Sequence, residues 1–76
     1  MVNINKLKGK MAEKGFSQLR LGEVAGISLS TVSQRFKNNG ADFTVGEVEA
    51  ISTALELSVD EINDIFFSSK FARYAN

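Results

Sequence analysis

The sequence of 76 residues contains no cysteine, histidine, proline or tryptophan. Without cysteine the chain has no disulfide framework, and without cysteine and histidine it lacks the ligands that usually hold zinc. The absence of histidine also removes the side chain that most often serves in acid–base catalysis. Proline breaks helices, so its absence is typical of an all-helical chain. These absences favour a binding protein over an enzyme, and they predict neither a metal site nor a cofactor.

Long hydrophobic runs are also missing. No run approaches the roughly 20 apolar residues that a membrane-spanning helix requires, and residues 1–14 lack the apolar stretch of a signal peptide. The apolar fraction of 43% nevertheless suits a folded chain rather than a disordered one. We therefore expect one domain over residues 1–76, located in the cytoplasm and without contact with a membrane.

Residues 17–36, SQLRLGEVAGISLSTVSQRF, predict two short helices joined by a tight turn. Ser17 and Ser28 are good N-cap residues, because a serine hydroxyl can accept a hydrogen bond from a free amide in the first helical turn. Gly26 can adopt the left-handed backbone conformation that often ends a helix. Two helices joined by a short turn that contains glycine form the helix-turn-helix arrangement. In its DNA-binding form the second helix enters the major groove.

Hydrophobic spacing and capping signals predict three further helices. Asn3 or Asn5 can cap the first helix, and Gly15 follows its last turn. Thr44 and Ser58 each stand three residues before a glutamate, which is the capping-box pattern of a helix start. The predicted helices span residues 4–14, 18–25, 29–37, 45–56 and 59–67. The predicted inward residues are Ile4, Leu7, Met11, Leu21, Val24, Ile27, Val32, Phe36, Val45, Val48, Ile51, Leu55, Val59, Ile62, Ile65 and Phe66. The predicted fold class is all-α, a compact bundle of five short helices.

The net charge is zero, but the charges are unevenly placed along the chain. Residues 1–40 hold seven cations and two anions, a balance of +5, whereas residues 41–76 hold two cations and seven anions, a balance of −5. Such asymmetry indicates one face suited to a polyanion and another that is not, although chance in a small protein would also produce it. The helix-turn-helix pattern lies in the basic half.

The helix-turn-helix block resembles that of phage repressors and Cro proteins, the lambda-repressor-like class. The residues that carry the resemblance are Gln18, Leu21, Gly26, Ile27, Ser28, Thr31, Val32 and Phe36. Residues 42–67 are similar to the end of short Cro-like proteins from prophages of Gram-positive bacteria, so the resemblance covers residues 4–67. It implies a homodimer that binds double-stranded operator DNA and controls a lysogeny switch.

Two positions depart from the pattern of this class. Gly22 stands where such proteins usually carry alanine. The glycine keeps two helices close, but it weakens its own helix by roughly 1 kcal/mol. The loop after the second helix of the motif often carries several cations in the class, whereas here it contains Asp42. Fewer cations mean fewer phosphate contacts and a weaker, salt-dependent attraction to DNA.

The outward positions of the second helix of the motif are candidates for reading bases, because residues near the start of a recognition helix reach base edges. These candidates are Ser28, Leu29, Ser30, Ser33 and Gln34. Gln34 can bond an adenine through both N6 and N7. Leu29 either touches a thymine methyl or lies in the core, because it shares a helical stripe with Val32 and Phe36.

Polar and basic residues around the motif are candidates for phosphate contacts, which position a protein without reading the sequence. They are Ser17, Gln18, Arg20, Thr31, Lys37, Asn38 and Asn39. In the class that the chain resembles, a glutamine at the place of Gln18 bonds a phosphate and braces the recognition helix. Arg35 stands where that class often buries an apolar residue, so it either reaches a phosphate or pairs with an acidic side chain.

Four of the seven aromatic residues lie in the last eleven positions. They are Phe66, Phe67, Phe71 and Tyr74. The last predicted helix cannot bury all of them on one face, and exposed apolar patches often mark partner surfaces. Residues 68–76 are therefore a candidate dimer arm, with these four aromatic residues as dimer contacts. The alternative is that Phe66 and Phe71 complete a small core, and residues 68–76 also fit a short strand or a frayed helix.

Two functions of different classes fit these features. The first is a Cro- or repressor-type transcriptional regulator that binds operator DNA and controls a phage lysis–lysogeny switch in the bacterial host cell. The second is a protein-binding modulator, an antirepressor whose acidic surface mimics DNA phosphates and inactivates a partner repressor. An antitoxin subunit fits less well, because such chains usually carry a long tail that wraps the toxin. No nucleophile–base pair, phosphate loop or metal cluster indicates an enzyme.

Overall fold

The helix starts in this computed structural model follow the capping residues of the sequence. The structure describes residues 2–67, and this part of the chain contains five helices and no strand. They are α1 (Ile4–Lys14), α2 (Gln18–Ala25), α3 (Leu29–Lys37), α4 (Val45–Ala54) and α5 (Val59–Phe66). In each, the side chain of the N-cap residue accepts a hydrogen bond from a backbone amide of the first turn. The N-cap residues are Asn3, Ser17, Ser28, Thr44 and Ser58. The predicted all-α bundle is confirmed.

Helices α1 to α4 end on one type of hydrogen bond. A residue with a left-handed backbone is followed by an amide that donates to the carbonyl five residues before it. The left-handed residues are Gly15, Gly26, Asn39 and Glu56, and the amides that follow them donate over 2.7–2.9 Å. Because Glu56 takes this conformation with a φ of 55°, α4 ends at Ala54, two residues before its predicted end. Helix α5 ends one residue early, at Phe66.

One hydrophobic core joins the five helices. Its buried residues are Leu7, Met11, Leu21, Val32, Phe36, Ile51, Leu55, Ile65 and Phe66. Half-buried residues that were predicted to face inward, Ile4, Ile27, Val48 and Ile62, pack against this core from its edge. Most of the predicted inward positions are therefore confirmed.

Three valines that were predicted to face inward do not lie in the core. Val45 is 85% exposed and Val59 is 73% exposed, because each is the first residue after a cap, where the chain enters the helix from the surface. Val24 is half-buried, and Ala25 packs against the core in its place. The spacing of these valines fits a helical stripe, but Val45 and Val59 face outward in the first turns of α4 and α5.

The helices pack so that α3 stays near the surface. Helix α2 packs against both α3 and α4, and α1 packs against α5, with the Asn3 amide donating to the Ile65 carbonyl over 2.6 Å. Between α3 and α4, the ring of Phe43 meets Phe36 and Phe66 edge-on, each with its centroid 6.4 Å away. This arrangement holds α3 by its inner side and leaves its outer side uncovered.

Candidate nucleic-acid interface

The turn between α2 and α3 depends on a close approach at Gly22. A Cβ atom at this position would lie 2.6 Å from the backbone oxygen of Ile27 and 3.2 Å from Cγ2 of Val32. Alanine, which the lambda-repressor-like class usually carries here, would therefore collide with the backbone of the turn. Gly26 ends α2 with a φ of 75°, and the Ile27 amide donates to the Gly22 carbonyl over 2.9 Å. These contacts fix the angle at which α3 leaves α2.

The outer face of α3 presents the predicted base-reading side chains to solvent. Leu29 is 46% exposed, and Ser30 and Gln34 are also exposed. The core interpretation of Leu29 is therefore wrong, because Val32 and Phe36 alone of that stripe are buried. An apolar side chain beside a hydroxyl and an amide is a combination that base edges and thymine methyl groups can contact.

Two of the predicted base-reading residues, Ser28 and Ser33, have hydroxyls that are already hydrogen-bonded. The Ser28 hydroxyl accepts from the Thr31 amide and lies 3.0 Å from the Thr31 hydroxyl, so it caps α3. The Ser33 hydroxyl donates to Oε1 of Gln18 over 3.2 Å. The exposed Gln34 side chain has no such bond among the described residues, and Leu29 is apolar.

Gln18 links the start of α2 to the middle of α3. Its side-chain oxygen is occupied by Ser33, so its amide group remains a donor for an outside acceptor. Ser17, one residue earlier, uses its hydroxyl to accept the Arg20 amide over 3.1 Å. The bracing role that the resemblance implies for Gln18 fits this geometry.

Two lysines lie together beside the second half of α3. Lys8 of α1 and Lys37 of α3 line a cleft of about 260 Å³ together with Gln18, Ser33 and Phe36. The Lys8 ammonium lies 5.7 Å from the centre of the Phe36 ring, within range of a cation–π contact. Sequence reasoning missed Lys8, because it is one of four lysines in α1 and nothing in the sequence shows which of them faces α3.

Most other cations of the basic half are paired with acidic residues of the second half. Three lysines of α1 form ion pairs with residues at the end of α4 and in α5. The pairs are Lys6–Asp64 at 2.8 Å, Lys10–Glu61, and Lys14–Glu56 at 3.7 Å. Within residues 2–67, Lys8 and Lys37 are the cations that make no ion pair. The uneven charge along the chain therefore serves largely to join α1 to the acidic helices rather than to separate two faces.

The Lys10–Glu61 ion pair shifts the pKa values of both side chains. The hydrogen bond from Lys10 and the bond from the Ser58 amide lower the pKa of the Glu61 carboxyl to about 2. The bond to Glu61 raises the pKa of Lys10 above its ordinary value, although burial opposes the shift. Both shifts favour the charged forms, so the pair is strongest near neutral pH.

Of three more predicted phosphate contacts, Arg20 and Asn38 have side-chain partners within the protein. Arg20 lies 3.4 Å from Glu23 and over the ring of Phe16, with 5.7 Å to its centre. The Asn38 amide donates to Asp42 over 2.9 Å, while Asn39 is exposed with a φ of 56°. Exposed pairs of this kind are weak, so Arg20 can exchange Glu23 for a phosphate at little cost.

Arg35 does not point to the outer face of α3. It forms a half-buried ion pair with Glu47 of α4, which is the second of the two alternatives drawn from the sequence. Burial works to raise the pKa of the Glu47 carboxyl, but the hydrogen bonds from Arg35 and from the Thr44 amide outweigh it and lower the pKa.

The predicted dimer contacts divide at the end of α5. Phe66 is 4% exposed and packs against Phe43, so its assignment as a dimer contact is wrong and its core interpretation holds. Phe67 is 46% exposed. It lines two apolar grooves of about 320 and 210 Å³, which meet at Phe67 and Val48. Phe71 and Tyr74, with the rest of residues 68–76, lie outside the described residues.

Two other kinds of feature are absent from the described residues. None of the helices there is both long and apolar enough to span a lipid bilayer. Within residues 2–67, acidic residues do not gather into a group of three or more that could hold a metal ion.

One comparison with known proteins gives a match. A family model described as "Helix-turn-helix" matches residues 7–62, which spans all of α1 to α4 except the first turn of α1 and includes the start of α5. No curated protein and no solved structure matches the chain.

Proposed function

The chain belongs to a helix-turn-helix family of DNA-binding regulators of the lambda-repressor type. We propose that it is a Cro- or repressor-type regulator. It binds double-stranded operator DNA in the cytoplasm of a bacterial host cell. By occupying its operator it controls a phage lysis–lysogeny switch.

The exposed face of α3 carries this proposal. Leu29 and Gln34 are uncovered on a helix whose other side is buried. Lys8 and Lys37, which make no ion pair within residues 2–67, line a cleft beside the same helix. Apolar and amide side chains read base edges, and lysines beside them attract the phosphate backbone. A surface that combines such side chains fits a major groove and the phosphate backbone beside it.

The residues then divide by their contacts with DNA. Leu29, Ser30 and Gln34 contact bases directly, while Ser28 and Ser33 lie beside them with hydroxyls that also hold the protein's own structure. The phosphate contacts are Ser17, Gln18, Arg20, Thr31, Lys37, Asn38 and Asn39, to which Lys8 is added. Phosphate contacts fix the register of α3 in the groove and supply the salt-dependent part of the affinity.

We further propose that the regulator is a homodimer. Its contact surface is the apolar region around Phe67, where the two grooves meet. Phe71 and Tyr74 stay candidate contacts from the sequence. Two copies related by a two-fold axis would set their recognition helices about 34–36 Å apart and read a near-palindrome.

The antirepressor is the competing function. Asp42, Glu49 and Asp60 form no ion pair within residues 2–67, so some acidic surface is available to a basic partner. The remaining acidic residues of the second half are bound to cations of the first, which leaves little of the surface that could imitate a phosphate strand.

A DNA titration separates the two functions. Duplexes bound by the protein are first selected from a random library, and the affinity of the selected duplex is then measured at 50 and 200 mM salt, for example by fluorescence anisotropy. For a regulator, the logarithm of the binding constant falls linearly with the logarithm of salt, with a slope of about −0.9 per phosphate contact. No selected sequence, together with tight capture of a repressor protein, would instead support the antirepressor.

A further inference from the structure

One carboxylate joins the end of α3 to the start of α4. The guanidinium of Arg35 donates to both oxygens of Glu47, and the bond from Nη2 to Oε2 is 3.4 Å long. The two side chains are only 17% and 12% exposed, so this pair is the most buried of the ion pairs within residues 2–67. It therefore loses less of its strength to water and salt than the exposed pairs do.

Glu47 also belongs to the capping box of α4. Its Oε1 accepts the Thr44 amide over 3.1 Å, while its own amide donates to the Thr44 hydroxyl over 3.1 Å. Between Arg35 and Thr44 the chain passes through two left-handed residues, Asn39 and Gly40. The ion pair closes this loop, and the carboxylate that starts α4 thereby fixes the position of the last turn of α3.

A third contact holds the same guanidinium. The Arg35 Cζ atom lies 5.6 Å from the centre of the Phe43 ring. Phe43 in turn meets Phe36 and Phe66 edge-on. Arg35 is thus held by a carboxylate and by an aromatic group that belongs to the core, and it lies on the inner side of the helix that carries Gln34.

We propose that Arg35 is a positioning residue for DNA recognition: through Glu47 and Phe43 it sets the orientation of the last two turns of α3, and it does not contact DNA itself. The inference rests on the proposed DNA-binding function. It assigns to this chain a polar device at a position where the lambda-repressor-like class often has an apolar contact. Gln34 and Lys37, which lie on either side of Arg35 along α3, depend on it for their placement in the groove.

The sign of a charge change separates positioning from direct contact. Glu47 is a negative charge close to the DNA-binding helix, so its removal would strengthen DNA binding if only long-range attraction mattered. Removal would also free Arg35 to reach a phosphate. If Arg35 acts by positioning, the same removal weakens recognition, because the last turns of α3 lose their anchor.

Three single variants test this difference. Arg35→Met keeps an unbranched, largely apolar stem but removes the guanidinium, and Glu47→Gln keeps the capping box, since glutamine also serves at that position. Glu61→Gln is the matched control, because Glu61 has the same capping-box and ion-pair roles in α5, away from α3. The affinities of all variants are measured for the duplex that the wild type selects and for a random duplex, at two salt concentrations.

We expect Arg35→Met and Glu47→Gln each to lower the ratio of selected to random binding about tenfold, which is the effect of losing one good base contact. The double variant should be no worse than either single one, the salt slope should stay that of the wild type, and Glu61→Gln should bind normally. The proposal is overturned if Arg35→Met makes the slope of log affinity against log salt less steep by about 0.9, the value of one phosphate contact. It is also overturned if Glu47→Gln strengthens binding to the selected duplex.

Amide hydrogen exchange of the free protein gives a readout that does not depend on DNA. The Asn38 and Gly40 amides donate to the carbonyls of Gln34 and Arg35 over 3.1 and 2.7 Å. We expect their exchange to accelerate about tenfold in Arg35→Met and Glu47→Gln, because this end of α3 opens more often when the ion pair is lost. Exchange at the same amides should not change in Glu61→Gln. If the wild type selects no duplex, the proposed function fails, while unchanged exchange at these amides would refute the positioning role itself.

Discussion

At the scale of the single residue, the side chains on and beside α3 separate into those suited to bases and those suited to phosphates. The apolar Leu29 and the amide Gln34 are exposed on the outer face of α3, whereas Lys8 and Lys37 line a cleft beside the same helix. Base contacts give selectivity with little salt dependence, and phosphate contacts give affinity that salt removes. The two groups can therefore be told apart by measurement.

The first prediction concerns Lys8 and Lys37, the two lysines of the cleft beside α3. Lys8→Gln and Lys37→Gln should each weaken binding to selected and random duplexes by the same factor, because each removes one phosphate contact. The slope of log affinity against log salt should become less steep by about 0.9 in each variant. Lys14→Gln is the matched control, since Lys14 pairs with Glu56 away from α3. A wild-type slope in both test variants would show that neither lysine contacts DNA.

Single residues were predicted unevenly from the sequence. The caps Ser17 and Ser28 follow from local chemistry and were found as expected. Leu29 and Arg35 each allowed two interpretations, because a helical stripe alone does not show the rotation of a short helix. Lys8 was missed altogether, since its value depends on which lysines of α1 find acidic partners in α5. That pairing appears only when the helices are packed.

At the scale of the element, the junction between α2 and α3 depends on the missing side chain of Gly22. The two helices approach so closely that the Ile27 carbonyl occupies the space of a Cβ atom. A glycine inside a helix costs about 1 kcal/mol relative to alanine. Here that cost accompanies a contact that alanine would prevent.

The second prediction follows from this contact. Gly22→Ala should lower the free energy of unfolding by about 1 kcal/mol, and by no more than about 2 kcal/mol. Overpacking against a backbone atom costs about 1–3 kcal/mol, and the gain in helix propensity of about 1 kcal/mol offsets part of it. Gly9→Ala is the control: nothing lies within 4 Å of the position that a Cβ atom would take there, so it should stabilise the protein by about 0.5–1 kcal/mol. Urea denaturation measures both. Stabilisation by Gly22→Ala would contradict the close approach.

The third prediction concerns the contact between α1 and α5. The pKa of Glu61 is about 2 in the folded protein and 4.5 ordinarily, so the unfolded chain binds more protons between these values. Stability is then fully present above pH 4.5 and falls as the pH drops towards 2. Glu61→Gln should make this fall shallower, although Glu47, whose pKa is also lowered, keeps part of it.

Thermal unfolding between pH 5 and pH 2 measures the effect of Glu61→Gln. Glu49→Gln serves as its control, because it removes an exposed charge in the middle of α4 that makes no ion pair within the described residues. The control should lose stability with falling pH as steeply as the wild type does. An equally steep fall in Glu61→Gln would mean that the pair with Lys10 does not stabilise the fold.

Helix starts were more predictable than helix ends. N-cap residues such as Thr44 and Ser58 can be recognised by their residue type and by a glutamate three positions later. The end of α4 at Ala54 depends instead on Glu56, an ordinary residue in a left-handed conformation that its type does not favour. Tertiary packing sets that end, so local sequence could not show it.

At the scale of the whole molecule, the opposite charges of the two halves meet across the bundle that the hydrophobic core joins. Lysines of α1 pair with acidic residues of α5 and of the α4 end, which joins the start of the chain to its later helices. The fold class and helix count were predictable from the sequence. The use of the charges was not, because the sequence shows their order along the chain and not which of them meet.

The fourth prediction concerns assembly. Phe67→Ser should convert a dimer at micromolar concentration into a monomer, because Phe67 lines both grooves of the proposed contact surface. Val59→Ser is the matched control, since Val59 is 73% exposed at the start of α5, the helix that Phe67 follows, but lines neither groove. Sedimentation velocity distinguishes the two states. A wild type that stays monomeric at these concentrations would remove the homodimer from the proposal.

The most direct test of the central claim changes what α3 reads. Duplexes are selected in parallel from one random library by the wild type and by Gln34→Arg. Glutamine favours adenine and arginine favours guanine in the major groove, so the expected result is a near-palindrome in which one symmetric pair of positions changes from adenine to guanine. Identical sequences from both proteins, or no enriched sequence from either, would contradict the assignment of α3 as the helix that reads DNA.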